Sequence, residues 1–239
     1  MGDPMNVCVP TGNFGNILAA YYAKLMGLPI GKLICASNSN NVLTDFLKTG
    51  IYDRNRPFYN TVSPSMDILI SSNLERLLYA MSDENAELVS DYMTQLNTVG
   101  RYEVSDRLKE KIASCFAAGY TDEQQTKETI RTYWEKCGYL MDTHTAVGVH
   151  VREQYRKETG DNTVTIVAST ASPFKFSDTV LESIGESDLP TGIALLDKLT
   201  EVTHVPTPAP LEKLKNKHLR FDLCVEKEQM IDAVLDFLN

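Results

Sequence analysis

Basic residues are in short supply: 23 Lys and Arg stand against 32 Asp and Glu, a net charge of -9, and no long basic run occurs. Nucleic acids and anionic membranes are held by clustered positive charge, so neither is an expected partner. Long apolar runs are missing too, with nothing near the roughly 20 residues that a membrane-spanning helix needs. The first residues, MGDPMNV, carry neither the basic nor the apolar segment of a secretory leader, and the expected location is the cytoplasm. Five cysteines (Cys8, Cys35, Cys115, Cys137, Cys224) are odd in number and widely spaced, without a C-x-x-C pair. That argues against a disulfide frame or a zinc site and for reduced core or near-core thiols. Internal repeats and low-complexity tracts are absent. The G-x-G-x-x-G of a dinucleotide fold is absent as well, and no Lys-Ser or Lys-Thr pair follows Gly12 and Gly15 as in a triphosphate loop.

With 239 residues and 43% hydrophobic content, the chain can bury a core as one large α/β domain or two small ones. The richest stretch is Val7 to Gly27. Val7, Cys8 and Val9 suit a buried strand that Pro10 ends, and Thr11-Gly12-Asn13-Phe14-Gly15-Asn16 supplies turn chemistry. Ile17, Leu18, Tyr21, Leu25 and Met26 then recur at helical spacing up to the stop signal Gly27 and Pro29. The first turn of a helix has unpaired N–H groups and partial positive charge, so a glycine loop leading into it can seat a phosphate. Glycine's access to positive φ helps the backbone approach a ligand. The plainer alternative is a strand-to-helix turn with glycines for packing. Because no acidic residue follows the second apolar run, Leu33 to Ala36, a small phosphorylated cofactor or substrate fits better than a dinucleotide.

Gly31 to Ala36 reads as a second strand, parallel to the first through a right-handed crossover. Asn38, Asn40 and Asn41 lie at its carboxyl end, on the edge where open parallel sheets bind ligands; Asn41 also reads as the cap of a helix from Val42. Ser71-Ser72-Asn73 opens a helix over Leu74 to Met81, and three charged amphipathic segments follow between Asp83 and Lys136, giving a helical segment over about 74–137. Trp134 there reads as a core filler. A polar turn at Asp142-Thr143 opens the next helix with His144 in its first turn, a place where histidine is commonly structural. Thr163 to Ala168 is a β-branched strand whose carboxyl end carries Ser169 to Phe176. Ser177 caps a helix ending at Gly185. A short helix near Ile193 to Leu199, a possible strand Arg220 to Val225 and a last helix striped by Met230, Ile231, Val234, Leu235 and Leu238 complete the reading.

In chain order, Pro10 to Asn16 with Ala23 to Pro29, Asn38 to Asn41, Ser65-Met66-Asp67-Ile68, Asp142 to Val147 and Thr170 to Phe176 resemble the C-terminal part of threonine synthase. The resemblance covers nearly the whole chain. It implies a fold-type II architecture: an open, mostly parallel α/β sheet flanked by helices, with a helical insertion and pyridoxal phosphate as cofactor. The implied reaction, in threonine biosynthesis, converts O-phosphohomoserine and water to threonine and phosphate. By this likeness Gly12, Asn13, Phe14, Gly15 and Asn16 cradle the cofactor phosphate, Thr170 meets the pyridine nitrogen, and Lys175 helps bind the anionic substrate; Asn38, from its place at the ligand edge, is the other expected substrate contact. On composition alone, Lys175 is equally a surface lysine before a helix.

The family's Schiff-base lysine lies in a Phe-Lys-Asp motif upstream of the glycine loop, and no such motif occurs in these 239 residues. The expectation is therefore a C-terminal segment, inactive alone, whose partner is the N-terminal portion of the same enzyme. Ser172 stands where relatives often have histidine, and Thr143 where they often have proline. The alternatives are another fold-type II lyase and a non-catalytic phosphate-ester-binding module.

Overall fold

A computed structural model describes residues 2–218 and 220–238. The chain divides into two compact units, Met1–Val205 and Pro206–Asn239.

The first unit is built on four parallel strands. β1 (Met5–Pro10) pairs with β2 (Ile30–Ser37) through α1 (Gly15–Leu25), as the two apolar runs and the glycine turn predict. The sheet order is β5-β2-β1-β6, with β5 at Phe116–Tyr120 and β6 at Thr165–Val167. Both faces are covered, which is why β1 and β2 read as continuous apolar runs. Val9, Leu33 and Cys35 pack with Ile17, Leu18 and Tyr21 of α1 in one core cluster. Cys8, Ile34 and Ala36 instead pack with Val147 and Val151 of α7 (Thr143–Thr159). Gly148 lets α7 lie close, since a Cβ there would come 3.0 Å from Val167 and 3.2 Å from Pro10.

The topology creates the crevice. From β1 the chain moves outward to β2 and later β5, then returns to the opposite side of β1 as β6. The loops after β1 and β6 therefore leave the sheet at a topological switch point, where open parallel sheets bind ligands.

Residues 74–137 are not wholly helical. α3 (Leu74–Met81), α4 (Ala86–Thr98), α5 (Asp106–Cys115) and α6 (Glu123–Cys137) form as expected. Between them, β4 (Arg101–Glu103) pairs antiparallel with β3 (Ile51–Asp53), which follows α2 (Val42–Thr49), and β5 completes the main sheet. The β5 sequence, FAAGY, has weak strand propensity, and its pairing of Leu33 to Ser37 with Phe116 to Tyr120 decides its state. Trp134 is half-buried, not a core filler, and Cys137 and Cys224 are exposed, unlike the expected near-core thiols. Asn41 precedes α2 without capping it; its Oδ1 accepts from Arg56. After β6 come a 3-10 turn (Pro173–Phe176), α8 (Ser177–Ile184) and α9 (Ala194–Thr203).

The second unit contains α10 (Ala209–Glu212) and α11 (Met230–Leu238). The expected strand Arg220 to Val225 is irregular, and no strand lies among the described residues of this unit for it to pair with. The apolar stripe of α11 is exposed.

Candidate functional site

A cleft of about 270 Å³ opens at the switch point. It is lined by Gly12, Asn13, Phe14, Gly15 and Asn16 from the β1–α1 loop, Thr170, Ala171 and Lys175 from the β6 side, and Ser65, Met66 and His144. It is near the small end of the roughly 300–1,000 Å³ of ligand pockets. The loop works differently from the expectation that glycines supply its positive φ. Phe14 does so, with φ 62°, immediately before α1. A non-glycine residue there is strained, and the burial of the Phe14 ring, 5.7 Å from that of Phe116, offsets the cost. Gly12 is required for close approach: a Cβ would sit 2.7 Å from Ser65 O. Gly15 is not sterically required: a Cβ there would make an ordinary contact, 3.6 Å, with Asn73 Nδ2.

The result is a row of free donors. Among the described residues, the backbone N–H groups of Asn13 through Ile17 have no protein acceptor, and Leu18, donating to Phe14 O at 3.1 Å, is the first amide of the turn that does. Asn13, Gly15 and Asn16 are exposed, so the row faces solvent at the positive end of α1. Such an array suits a phosphate monoester.

The row is held from behind and above. Ser71 Oγ donates to Gly12 O at 2.9 Å, while Ser71 N donates to the Tyr52 hydroxyl at 2.9 Å. Tyr52 stacks on Tyr102 with ring centroids 5.3 Å apart, and burial pushes its hydroxyl up to about 12. Above the row, the Ser65–Met66 turn is anchored by Asp67. Its carboxylate accepts from Asn38 Nδ2 (2.8 Å), Asn40 Nδ2 (3.0 Å), Thr61 N (2.9 Å) and the Thr61 hydroxyl (2.7 Å). Asn38 is thus buried and committed to this turn, outside the cleft lining.

Thr170 and Lys175 sit on the opposite rim, both exposed; the Thr170 hydroxyl makes no hydrogen bond and Lys175 no ion pair among the described residues. His144 is 3% exposed. Asp142 caps α7, accepting from His144 N (2.9 Å), Thr145 N (3.2 Å) and the Thr145 hydroxyl. Burial works to raise its carboxyl, but these bonds and the His144 ring outweigh that and hold it below the usual range. The buried thiols are not nucleophiles: burial pushes Cys35 up to about 12 and Cys8 higher still. Sequence reasoning quoted Ser65 and Met66 without giving them a place in the site. Their signal is the Gly12 contact, which only the fold reveals.

An open parallel sheet flanked by helices, with a cleft at its switch point, makes this an α/β domain. Residues 145–233 match the model for the threonine synthase C-terminal domain, and the chain belongs to the threonine synthase family. It is 42% identical over 229 residues to threonine synthase-like 1 of Mus musculus, covering 94% of this chain and 30% of that protein. It is 37% identical to threonine synthase of Saccharomyces cerevisiae over 230 residues, covering 87% of this chain and 45% of that one. Among solved structures, yeast threonine synthase superposes with TM-score 0.83 at 35% identity, over 98% of this chain and 47% of that one. A PLP-bound threonine synthase from Brucella melitensis gives 0.72 at 41% identity, over 83% and 41%. The chain thus spans less than half the length of each of these relatives.

Proposed function

We propose that these residues form the phosphate and ring-nitrogen side of a pyridoxal-phosphate site in a threonine synthase that converts O-phosphohomoserine and water to threonine and phosphate. The observation that carries the reading is the row of unaccepted N–H groups from Asn13 to Ile17, opposite a free hydroxyl and a free ammonium in one cleft. The fit is chemical: Gly12 to Asn16 would hold the cofactor phosphate by backbone donors. Bound there, the cofactor supplies the electron sink for chemistry at the substrate carbons. Thr170 offers its pyridine nitrogen a neutral hydroxyl, which does not hold a proton on the ring as a carboxylate would. Lys175 offers a point charge to the substrate's phosphate. Asn38 acts through the Asp67-anchored turn, not by contact.

The cofactor-anchoring lysine is expected in the family's Phe-Lys-Asp segment, outside these 239 residues, and the N-terminal portion of the enzyme is the partner that completes the site. These residues alone are therefore expected to be catalytically silent. No helix among the described residues is long and apolar enough to cross a membrane, and all five cysteines are free.

The test is titration of this chain with pyridoxal phosphate, borohydride reduction and mapping of labelled lysines by mass spectrometry, with Gly15→Asp and Thr170→Ala alongside. Weak binding lost in both variants, with no dominant labelled lysine, is expected. Stoichiometric labelling at Lys175 would overturn the assignment. The similarity to threonine synthase-like 1 supports a second reading, a related lyase on another hydroxy or phosphorylated amino acid. Phosphate release from O-phosphohomoserine, measured on the longer gene product against serine and threonine dehydration, separates the two.

A further inference from the structure

The Ser65–Met66 turn roofs the cradle and, among the described residues, has one side-chain hydrogen bond to α7. The Ser65 N–H donates to His144 Nε2 at 3.3 Å, across 79 residues of sequence. A backbone amide only donates, so Nε2 carries no proton and the ring proton sits on Nδ1. Nδ1 faces two acceptors, Asp142 Oδ1 at 3.3 Å and Thr143 Oγ1 at 3.4 Å. The ring packs on Phe176, with centroids 4.8 Å apart, so its plane is set from the β6 side of the cleft as well. Every polar atom of the imidazole is thus engaged, and the ring is oriented like a second-row ligand, not like a free base.

Resting on the phosphate-cradle reading above, we propose that His144 is a positioning residue: as a neutral Nδ1–H imidazole it holds the Ser65 turn over Gly12, setting the height of the roof above the Asn13–Ile17 donor row. The roof height matters because Ser65 O already lies where a Gly12 Cβ would clash, at 2.7 Å. A shift of that turn therefore changes how the amides meet a phosphate. The exposed Ser65 hydroxyl, which makes no hydrogen bond among the described residues, moves with the turn and presents a donor to the same cleft.

The test compares His144→Phe, which keeps the ring against Phe176 but lacks the acceptor, with His144→Gln, whose amide oxygen can replace Nε2. Three readouts are taken on the full chain: amide exchange at Ser65, ring-nitrogen spectra of His144, and titrations with inorganic phosphate and pyridoxal phosphate. Expected are a bare Nε2 in the wild type, about tenfold faster Ser65 exchange and tenfold weaker binding in His144→Phe, and recovery to within about threefold in His144→Gln. Unchanged Ser65 exchange in His144→Phe would overturn the proposal, as would a protonated Nε2 or a glutamine variant as impaired as the phenylalanine one. If Ser65 responds as expected while neither probe binds the wild type, the tie stands and the cradle reading falls.

Discussion

The two rims of the cleft are built on opposite principles. The β1–α1 rim is immobilised: Gly12 is gripped by Ser71 and roofed by Ser65, Phe14 is buried, and the aromatic stack behind Tyr52 supports the whole. The β6 rim carries its functional groups on exposed side chains, Thr170 and Lys175, without partners among the described residues. Backbone donors fixed in this way cannot adapt, so they suit a group common to every turnover; free side chains suit what arrives and leaves. A preorganised seat also loses little entropy on binding, whereas ordering a lysine costs up to about 2 kcal/mol.

The contrast breaks most sharply at Gly12. Gly12→Val places carbon atoms against Ser65 O, so the roof must lift or α1 must tilt. Overpacking of this kind costs about 1–3 kcal/mol, and phosphate-group binding is expected to fall by about a hundredfold or more, measured by titration and thermal melting. A Gly12→Val chain that melts and binds like the wild type would mean that the first rim is not rigid. Next comes Asp67→Ala, which removes the carboxylate that accepts four hydrogen bonds from Asn38, Asn40 and Thr61. A loss of about 3 kcal/mol is expected in urea unfolding, with faster exchange at Ser65 and Met66.

This difference between rims also explains what could be read from residues alone. The strand, glycine turn and helix over Val7 to Gly27 are local events, and all of them form. What stayed hidden depends on distant pairing. β5 becomes a strand because β2 offers it an edge, and Asn38 leaves the ligand edge because Thr61, Ser63 and Asp67, 23 to 29 residues on, take its amide. Phe14 is the sharpest case, because the left-handed conformation assigned to glycine falls on a residue whose ring anchors it in the core. A turn motif announces that a tight bend exists; which residue bears the strain follows from what its side chain can bury.

On the second rim the expected effects are smaller and of another kind. Thr170→Ala and Lys175→Ala should leave unfolding free energy within about 0.5 kcal/mol of the wild type, since each removes an exposed group without partners. Their effect belongs to ligand affinity: Lys175→Ala is expected to weaken binding of phosphorylated substrate several-fold, and salt should mimic it. A loss above 2 kcal/mol in either variant would show that this rim is as structurally committed as the first.

The mildest test is acid, read at Asp142, which joins both rims through α7. Its folded-state affinity for a proton is lowered, the bonds from His144 and Thr145 outweighing burial. A depressed carboxyl contributes stability that is fully present above its unfolded value of about 3.9 and is lost as pH falls through the folded value. Between pH 5 and 8 the contribution is constant, so Asp142→Asn should lower stability there by a fixed amount. Below about pH 4 the wild type should lose its advantage and the two unfolding curves should converge. Asp161, also depressed by bonds from Thr163, Asn6 and Tyr155, titrates in the same acid range, so the comparison is made in an Asp161→Asn background. If the curves stay parallel down to pH 2.5, the Asp142 cap is not ionised in the folded chain, and the neutral Nδ1–H form of His144 loses its orienting charge.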